Sequence, residues 1–137
     1  MKISQKLEYA CRALVQLAKT YDGKTLTRLD DLAQREAVSA NFLVQILNDL
    51  RRAAIIDSRR GANGGYLLSR PAENITLRQI VEAVEPSQLQ NTALEHGESG
   101  SAVRRAWEGV STKLAGDLDT VTLESIASPP SDPMFYI

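Results

Sequence analysis

The stretch IIDSRRGANGGYLLSR, residues Ile55–Arg70, decides the fold predicted for this chain. Strand-forming residues stand on both sides of a glycine-rich centre, a pattern typical of a β-hairpin. Within that centre, Asn63-Gly64 predicts a two-residue turn with positive φ angles. Arg59 and Arg60 would then lie near the hairpin tip. A glycine-rich hairpin with two arginines near its tip is compatible with a phosphate-binding loop, a corner of a sheet or a projection that contacts nucleic acid.

Two short amphipathic helices are predicted before the hairpin. The first, within TRLDDLAQREAV, carries the capping-box pair Thr27 and Asp30. The second, within SANFLVQILNDLRRA, is capped by Ser39 and ends at Arg51-Arg52. Its apolar stripe consists of Phe42, Leu43, Ile46, Leu47 and Leu50. Helix, turn, helix and hairpin follow one another in the order of a winged helix-turn-helix.

Two further helices flank this unit. The first is predicted from Ser4 to Tyr21, with Ser4 as its cap, and its apolar face includes Cys11, which we interpret as a small core residue. The second lies within NITLRQIVEAVEP, where Thr76-x-x-Gln79 is a capping box and a proline ends the helix. The fold class predicted is therefore mainly α with a small β-hairpin.

The last part of the chain carries one narrow apolar stripe along a long predicted helix. The stripe consists of Val103, Trp107, Val110, Leu114, Leu118 and Val121. Its spacing suits packing against a second helix and packing against the chain's own domain equally well. We predict a winged helix-turn-helix domain over 1–86 and a loop over 87–100. A dimerisation helix with a short terminal helix would cover 101–128, and a tail 129–137.

Composition and charge restrict the function classes. The 137 residues, 43% of them hydrophobic, fit one folded domain with an appended helix. Residues 1–80 carry 13 Lys and Arg against 8 Asp and Glu, whereas residues 81–137 carry 3 against 9. The first part therefore suits a polyanionic partner, and the second would be repelled by one.

No motif for catalysis or metal binding is recognisable. The glycine-rich stretch lacks Gly-Lys-Ser/Thr, and no G-x-G-x-x-G occurs. The single histidine, His96, lies in a polar segment, and the single cysteine excludes an intramolecular disulfide. We therefore expect no enzyme activity and no metal site. With no long apolar run and no signal-peptide core, we also expect a cytoplasmic protein without a membrane partner.

The residue types on the predicted helix pair and hairpin suit DNA binding. The second helix of the pair carries polar residues on its exposed side, Asp49 among them, and Asn or Gln can bind adenine edges in the major groove. The arginines can neutralise phosphates, and one wing arginine could enter the minor groove. The predicted DNA-binding residues are Thr27, Ser39, Asn41, Val44, Gln45, Asn48, Arg51, Arg52, Arg59, Arg60 and Tyr66.

Three stretches closely resemble the Rrf2 family of bacterial winged helix-turn-helix regulators. They are MKIS with Tyr9-Ala10, then FLVQILNDLRRAAIIDSRRGANGGYLLSRP, and ITLRQIVEAVE, so that the resemblance covers roughly residues 1–86. It implies a homodimer on a palindromic operator, with the second helix of the pair in the major groove and Arg60 in the minor groove. It also implies that the narrow stripe is a dimer seam.

The chain departs from the family pattern at two places. The family's Tyr-Leu-Glu is here Phe42-Leu43-Val44, and Val44 can touch a thymine methyl but cannot accept from a cytosine amine. Cluster-binding members carry three cysteines before the long helix, whereas PSQLQNTALEHGESGSAVRRAW has none. A thiolate-ligated iron–sulfur cluster there is excluded, and Glu8, Cys11 and His96 would form only an atypical site. We expect no cofactor.

Two function classes follow. The leading hypothesis is a DNA-binding transcriptional regulator that acts as a repressor, with a small-molecule effector or an enzyme partner as its signal. The alternative is a protein-interaction module that docks a metabolic enzyme and has little DNA affinity of its own.

Overall fold

The computed structural model describes residues 2–90 and 94–128. Within them the chain forms α1 (Gln5–Lys19), α2 (Leu29–Arg35), α3 (Ala40–Arg52), β1 (Ile56–Arg59), β2 (Gly65–Leu68), α4 (Leu77–Val84), α5 (Gly100–Thr120) and α6 (Leu123–Ala127). Short 3₁₀ turns precede and follow α4. The mainly helical fold with one antiparallel hairpin is confirmed. The predicted tail 129–137 and part of the predicted loop lie outside the described residues.

Three of the predicted helix caps are confirmed. The Ser4 hydroxyl accepts from the amide of Leu7 at 3.1 Å, and the Ser39 hydroxyl accepts from the amide of Phe42 at 3.2 Å. Thr76 and Gln79 form the complete capping box at the start of α4. Each cap satisfies amides that have no partner inside the helix, which is why the helices begin at these positions.

The predicted cap at Thr27 is wrong. Helix α2 begins at Leu29, and the residue at its N-cap position, Arg28, makes no capping bond with its side chain. The backbone of Thr27 instead exchanges two hydrogen bonds of 2.8 Å with the backbone of Tyr66 in β2. Because this pairing holds Thr27 as an extended residue of the hairpin, the helix starts after it.

The hairpin turn also differs from the prediction. Arg59 pairs with Gly65, so residues 60–64 form a longer loop in place of a two-residue turn at Asn63-Gly64. The loop closes with a bond of 2.9 Å from the amide of Gly64 to the carbonyl of Gly61, whose φ is +104°. A Cβ at Gly64 would stand 2.2 Å from the carbonyl oxygen of Arg59. Close backbone approach therefore requires that glycine.

Helices α2 and α3 end with the same backbone motif. After α3, the amide of Ile55 donates to the carbonyl of Leu50 at 3.0 Å, and the amide of Ala54 donates to that of Arg51 at 2.9 Å. Ala54 has a φ of 60°, as a Schellman ending requires, and Ala37 has a φ of 54° after α2. Both sharp turns therefore carry an alanine in the left-handed region, where a Cβ is unfavourable.

The hydrophobic core joins α1, α3, α4 and α6 with the base of the hairpin. Its fully buried large side chains include Leu14, Leu47, Ile56 and Ile80. Leu123 of α6 is also fully buried, and its amide donates to the carbonyl of Ile75 at 2.7 Å. Helix α6 therefore returns the chain to the core formed by the N-terminal helices.

The apolar stripe of α5 divides into two parts. Leu118 packs against the core, and Leu114 and Val121 are half-buried. Val103, Trp107 and Val110 are 51%, 57% and 56% exposed. The two packing modes that the spacing left open thus belong to different parts of one helix: the C-terminal part packs on its own domain, and the N-terminal part leaves an uncovered apolar face.

The Schellman ending of α3 yields a stability prediction. Ala54→Gly should raise the free energy of unfolding by about 0.5–1 kcal/mol, because relief of the left-handed strain exceeds the entropy cost of glycine. Ala53→Gly is the matched control, since Ala53 has a φ of −83° and carries no such strain. That substitution should lower the free energy of unfolding in urea titrations. If both variants changed the free energy of unfolding in the same direction, the assignment of left-handed strain to Ala54 would be contradicted.

Candidate nucleic-acid interface

A cleft of about 370 Å³ opens between α3, the start of α2 and the hairpin. Five of the predicted DNA-binding residues line it: Asn48, Arg51, Arg59, Arg60 and Tyr66. They come from separate elements, and the hairpin brings them together because β1 follows directly after the turn that ends α3. The fold thus places α3 and the arginine-bearing hairpin, the wing of the fold, beside each other.

The exposed side of α3 presents polar side chains next to the cleft. Asn41 and Gln45 are exposed, and Val44 and Asn48 are partly exposed. Their spacing of three and four residues places them on one side of the helix. The opposite side buries Leu43, Ile46, Leu47 and Leu50 in the core. The recognition surface and the core face are therefore separated as the sequence predicts.

Asp49 does not belong to that exposed side, contrary to the prediction. Its carboxylate lies 2.6 Å from the Lys6 ammonium of α1, and it also contacts the guanidinium of Arg52. Asp49 keeps only 16% of its side chain exposed. It therefore joins α1 to α3, and Arg52 lies beside a carboxylate rather than in the cleft.

The remaining predicted residues occupy different surroundings. Arg51, Arg59 and Arg60 are exposed, and the Arg59 guanidinium donates to the carbonyl of Ser58 at 3.1 Å. The Ser39 hydroxyl is engaged as the cap of α3. The hydroxyl of Thr27 lies 3.3 Å from that of Thr20.

Sequence reasoning missed Arg28, which also lines the cleft. Its guanidinium donates to the carbonyl of Ala62, in the hairpin loop, at 2.7 Å. The contact spans 34 positions of the chain, so no local pattern indicates it. Four arginines and one carboxylate, that of Asp30, therefore line this surface. The excess of positive charge suits a polyanion.

The three residues considered as an atypical cluster site have different surroundings. Glu8 is exposed and pairs with Arg12 at 3.0 Å, and His96 is exposed. Burial, with the Glu8 carboxylate adding to it, raises the pKa of the Cys11 thiol to about 11, which disfavours the thiolate that an iron–sulfur cluster needs. Over 2–90 and 94–128, no three His, Cys, Asp or Glu side chains are grouped so that they could hold a metal ion.

These features define the class of the protein: a winged helix-turn-helix protein with a basic cleft between its recognition helix and its wing. Over the described part of the chain, no helix combines the length and apolarity needed to cross a bilayer.

The comparisons with known proteins give the family. The Rrf2 model, described as an iron-dependent transcriptional regulator, matches residues 3–129. The chain is 37% identical to the transcriptional regulator IscR of Cereibacter sphaeroides over 134 residues, which cover 92% of this chain and 86% of that protein. It is 35% identical to the regulator CymR of Bacillus subtilis over 128 residues, covering 93% and 91%.

A solved structure agrees with this assignment. The structure of CymR, the global cysteine regulator of B. subtilis, superposes with a TM-score of 0.79 at 34% identity, covering 96% of this chain and 99% of that one. The chain belongs to the Rrf2 family of transcriptional regulators and is a DNA-binding regulator.

The partly buried thiol of Cys11 gives a prediction about pH. At pH 8, iodoacetamide should alkylate Cys11 roughly 100-fold more slowly in the folded protein than in the unfolded one, because the pKa of the thiol rises from 9.0 to about 11 on folding. The same pKa shift makes the free energy of unfolding depend on pH. The contribution of the protonated thiol is fully present below pH 9 and is lost as the pH rises through about 11.

Cys11→Ala provides the control, since it lacks the titrating thiol. Urea titrations between pH 8 and 11 should show a steeper loss of stability for the parent chain than for the variant. Equal alkylation rates in the folded and unfolded states would contradict the shift.

Proposed function

We propose that this chain represses transcription as a homodimer on a palindromic operator. One observation carries the proposal: the cleft between α3 and the hairpin collects Asn48, Arg51, Arg59 and Arg60 on one exposed surface. A helix and a basic finger side by side can follow a major groove and the adjoining minor groove of one duplex.

Within this proposal α3 reads bases. Asn41, Gln45 and Asn48 would bind adenine edges, since an amide side chain can donate and accept at the same base. Val44, partly exposed beside them, would contact a thymine methyl. The operator preference should therefore differ from that of relatives with an acidic residue at this position.

The remaining predicted residues would hold the DNA backbone. Arg51 and Arg52 would neutralise phosphates near the end of α3, and Arg60 would enter the minor groove from the hairpin, with Arg59 beside it. The hydroxyls of Thr27, Ser39 and Tyr66 add polar groups for phosphate contact. These contacts position the protein on the duplex, and the side chains of α3 give it sequence preference.

The uncovered apolar face of α5 supports the homodimer. Val103, Trp107 and Val110 expose half or more of their surface, and covering them with the same face of a second copy removes it from water. Paired recognition helices then reach half-sites about 34–36 Å apart, or multiples of that distance. A twofold protein on a palindromic operator satisfies both requirements.

The proposal contains no catalytic step and no thiolate-ligated cluster. The lone cysteine and the exposed His96 offer no ligand set of the kind a cluster needs, so the signal would be a small molecule or an enzyme partner. The relatives are transcriptional regulators, which supports action in the cytoplasm beside the DNA.

The wing contact can be tested by substitution. Arg60→Ala should weaken binding to the DNA upstream of the protein's own gene about tenfold or more, because a charge-assisted contact is lost. The salt slope of the affinity should fall by about one. Fluorescence anisotropy at several salt concentrations measures both quantities.

Arg12→Ala serves as the control for this experiment, since Arg12 is an exposed arginine on α1. It should leave affinity and slope nearly unchanged. If the parent chain bound no DNA specifically and instead retained a metabolic enzyme in pull-down experiments, the docking-module alternative would replace the repressor.

The dimer has its own test. Trp107→Asp places a charge on the exposed apolar face and should convert the protein to a monomer in sedimentation velocity, because a carboxylate is costly to bury in that interface. Arg105→Asp, two residues earlier and also exposed, is the control and should remain dimeric. A dimeric Trp107→Asp variant would move the interface to another surface.

A further inference from the structure

The tip of the hairpin is connected to the start of α2 by one side chain. The Arg28 guanidinium donates to the carbonyl of Ala62 at 2.7 Å, with Ala62 in the loop that joins β1 to β2. Arg60 precedes Ala62 by two residues in the same loop. The position of the arginine expected to enter the minor groove therefore depends on a loop that Arg28 holds.

The same segment also pairs with the second strand of the hairpin, close to the loop. Thr27 exchanges two backbone hydrogen bonds with Tyr66, and a Cβ at Gly65 would stand 2.6 Å from the carbonyl oxygen of Thr27. The segment before α2 is thus packed closely along β2. Thr27 attaches the strand through its backbone, and Arg28 reaches further to the loop with its side chain.

Without such support the loop would be poorly fixed. The hairpin has only two strands of four residues each, and an isolated two-stranded hairpin is marginally stable in water. Its loop contains Gly61 and Gly64, and glycine gives the backbone the most conformational freedom. Within the loop, the bond from the Gly64 amide to the Gly61 carbonyl closes one turn but does not fix that turn against α2.

We propose that Arg28 is a positioning residue for DNA binding, which holds the hairpin loop so that Arg60 is oriented toward the duplex before the DNA arrives. The inference rests on the proposed wing contact and adds a residue to it. Arg28 acts through the loop and not as a phosphate ligand. Removal of the Arg28 side chain should therefore leave the fold intact. It should weaken DNA binding, because the loop would then have to be ordered during binding and that conformational entropy cost reduces the affinity.

The experiment is a double-mutant cycle with Arg28→Ala, Arg60→Ala and the double variant, read as affinity for the same upstream DNA. Arg28→Ala should weaken binding about 3- to 10-fold, the range that corresponds to one hydrogen bond. In the Arg60→Ala background it should weaken binding by less than twofold, because there is no longer an arginine to position. Lys24→Ala is the control, because it removes an exposed cation from the segment between α1 and α2 that also contains Arg28. It should change affinity by less than twofold.

A second measurement follows the loop without DNA. Hydrogen exchange of the Gly64 amide, which donates to Gly61, should be faster in Arg28→Ala than in the parent chain or in Lys24→Ala. Arg28→Met, which keeps the length of the side chain but not its donors, should behave like the alanine variant in both measurements.

The outcomes separate the two proposals. If Arg60→Ala left affinity unchanged, the wing contact itself would be wrong. If Arg60→Ala weakened binding but the loss from Arg28→Ala were additive with it and came with a salt slope lower by one, Arg28 would be a direct phosphate ligand and the positioning role would be overturned. Unchanged exchange at Gly64 in Arg28→Ala would overturn it as well.

Discussion

The turn that joins α3 to β1 is the constraint on which the proposed DNA-binding surface depends. It ends α3 with a Schellman motif at Ala54 and places Ile55 and Ile56 directly in the core, at 1% and 0% exposure. Ile56 pairs with Leu68, which is also buried, so both strands are anchored at the base of the hairpin. Burial of such a side chain contributes about 1.5–3 kcal/mol. The angle between the helix and the wing is therefore set by the core.

The long helix α5 combines two tasks that a periodic pattern cannot separate. Its C-terminal part is held to α4 by the carboxylate of Asp119, which accepts from Thr76 at 3.3 Å and from Arg78 at 3.0 Å. The chain then returns to the core through Leu123. The N-terminal part projects Trp107 and its neighbours into solvent. One helix thus packs on the helix-turn-helix unit at one end and leaves an uncovered apolar face at the other.

The family is described as iron-dependent, and in this chain the pKa of the only cysteine, Cys11, is raised, which disfavours the thiolate form that binds iron. Cys11 lies within the apolar face of α1, where burial keeps its thiol protonated. The family assignment and the chemistry of iron binding therefore depend on different residues. Family membership rests on the helix pair, the hairpin and the core, and these features by themselves do not define how a signal is sensed.

The sequence by itself determined the features that depend on neighbouring residues. The caps at Ser4, Ser39 and Thr76, the apolar face of α3 and the presence of a hairpin all follow from patterns a few positions long, because helices and hairpins are stabilised by contacts at that range. Only the tertiary structure decided the extended conformation of Thr27, the ion pair of Asp49 with Lys6, the length of the hairpin loop and the bond of Arg28 to it. Each of these depends on groups that are distant along the chain, whose approach is set by packing of the whole core and leaves no periodic pattern in the sequence.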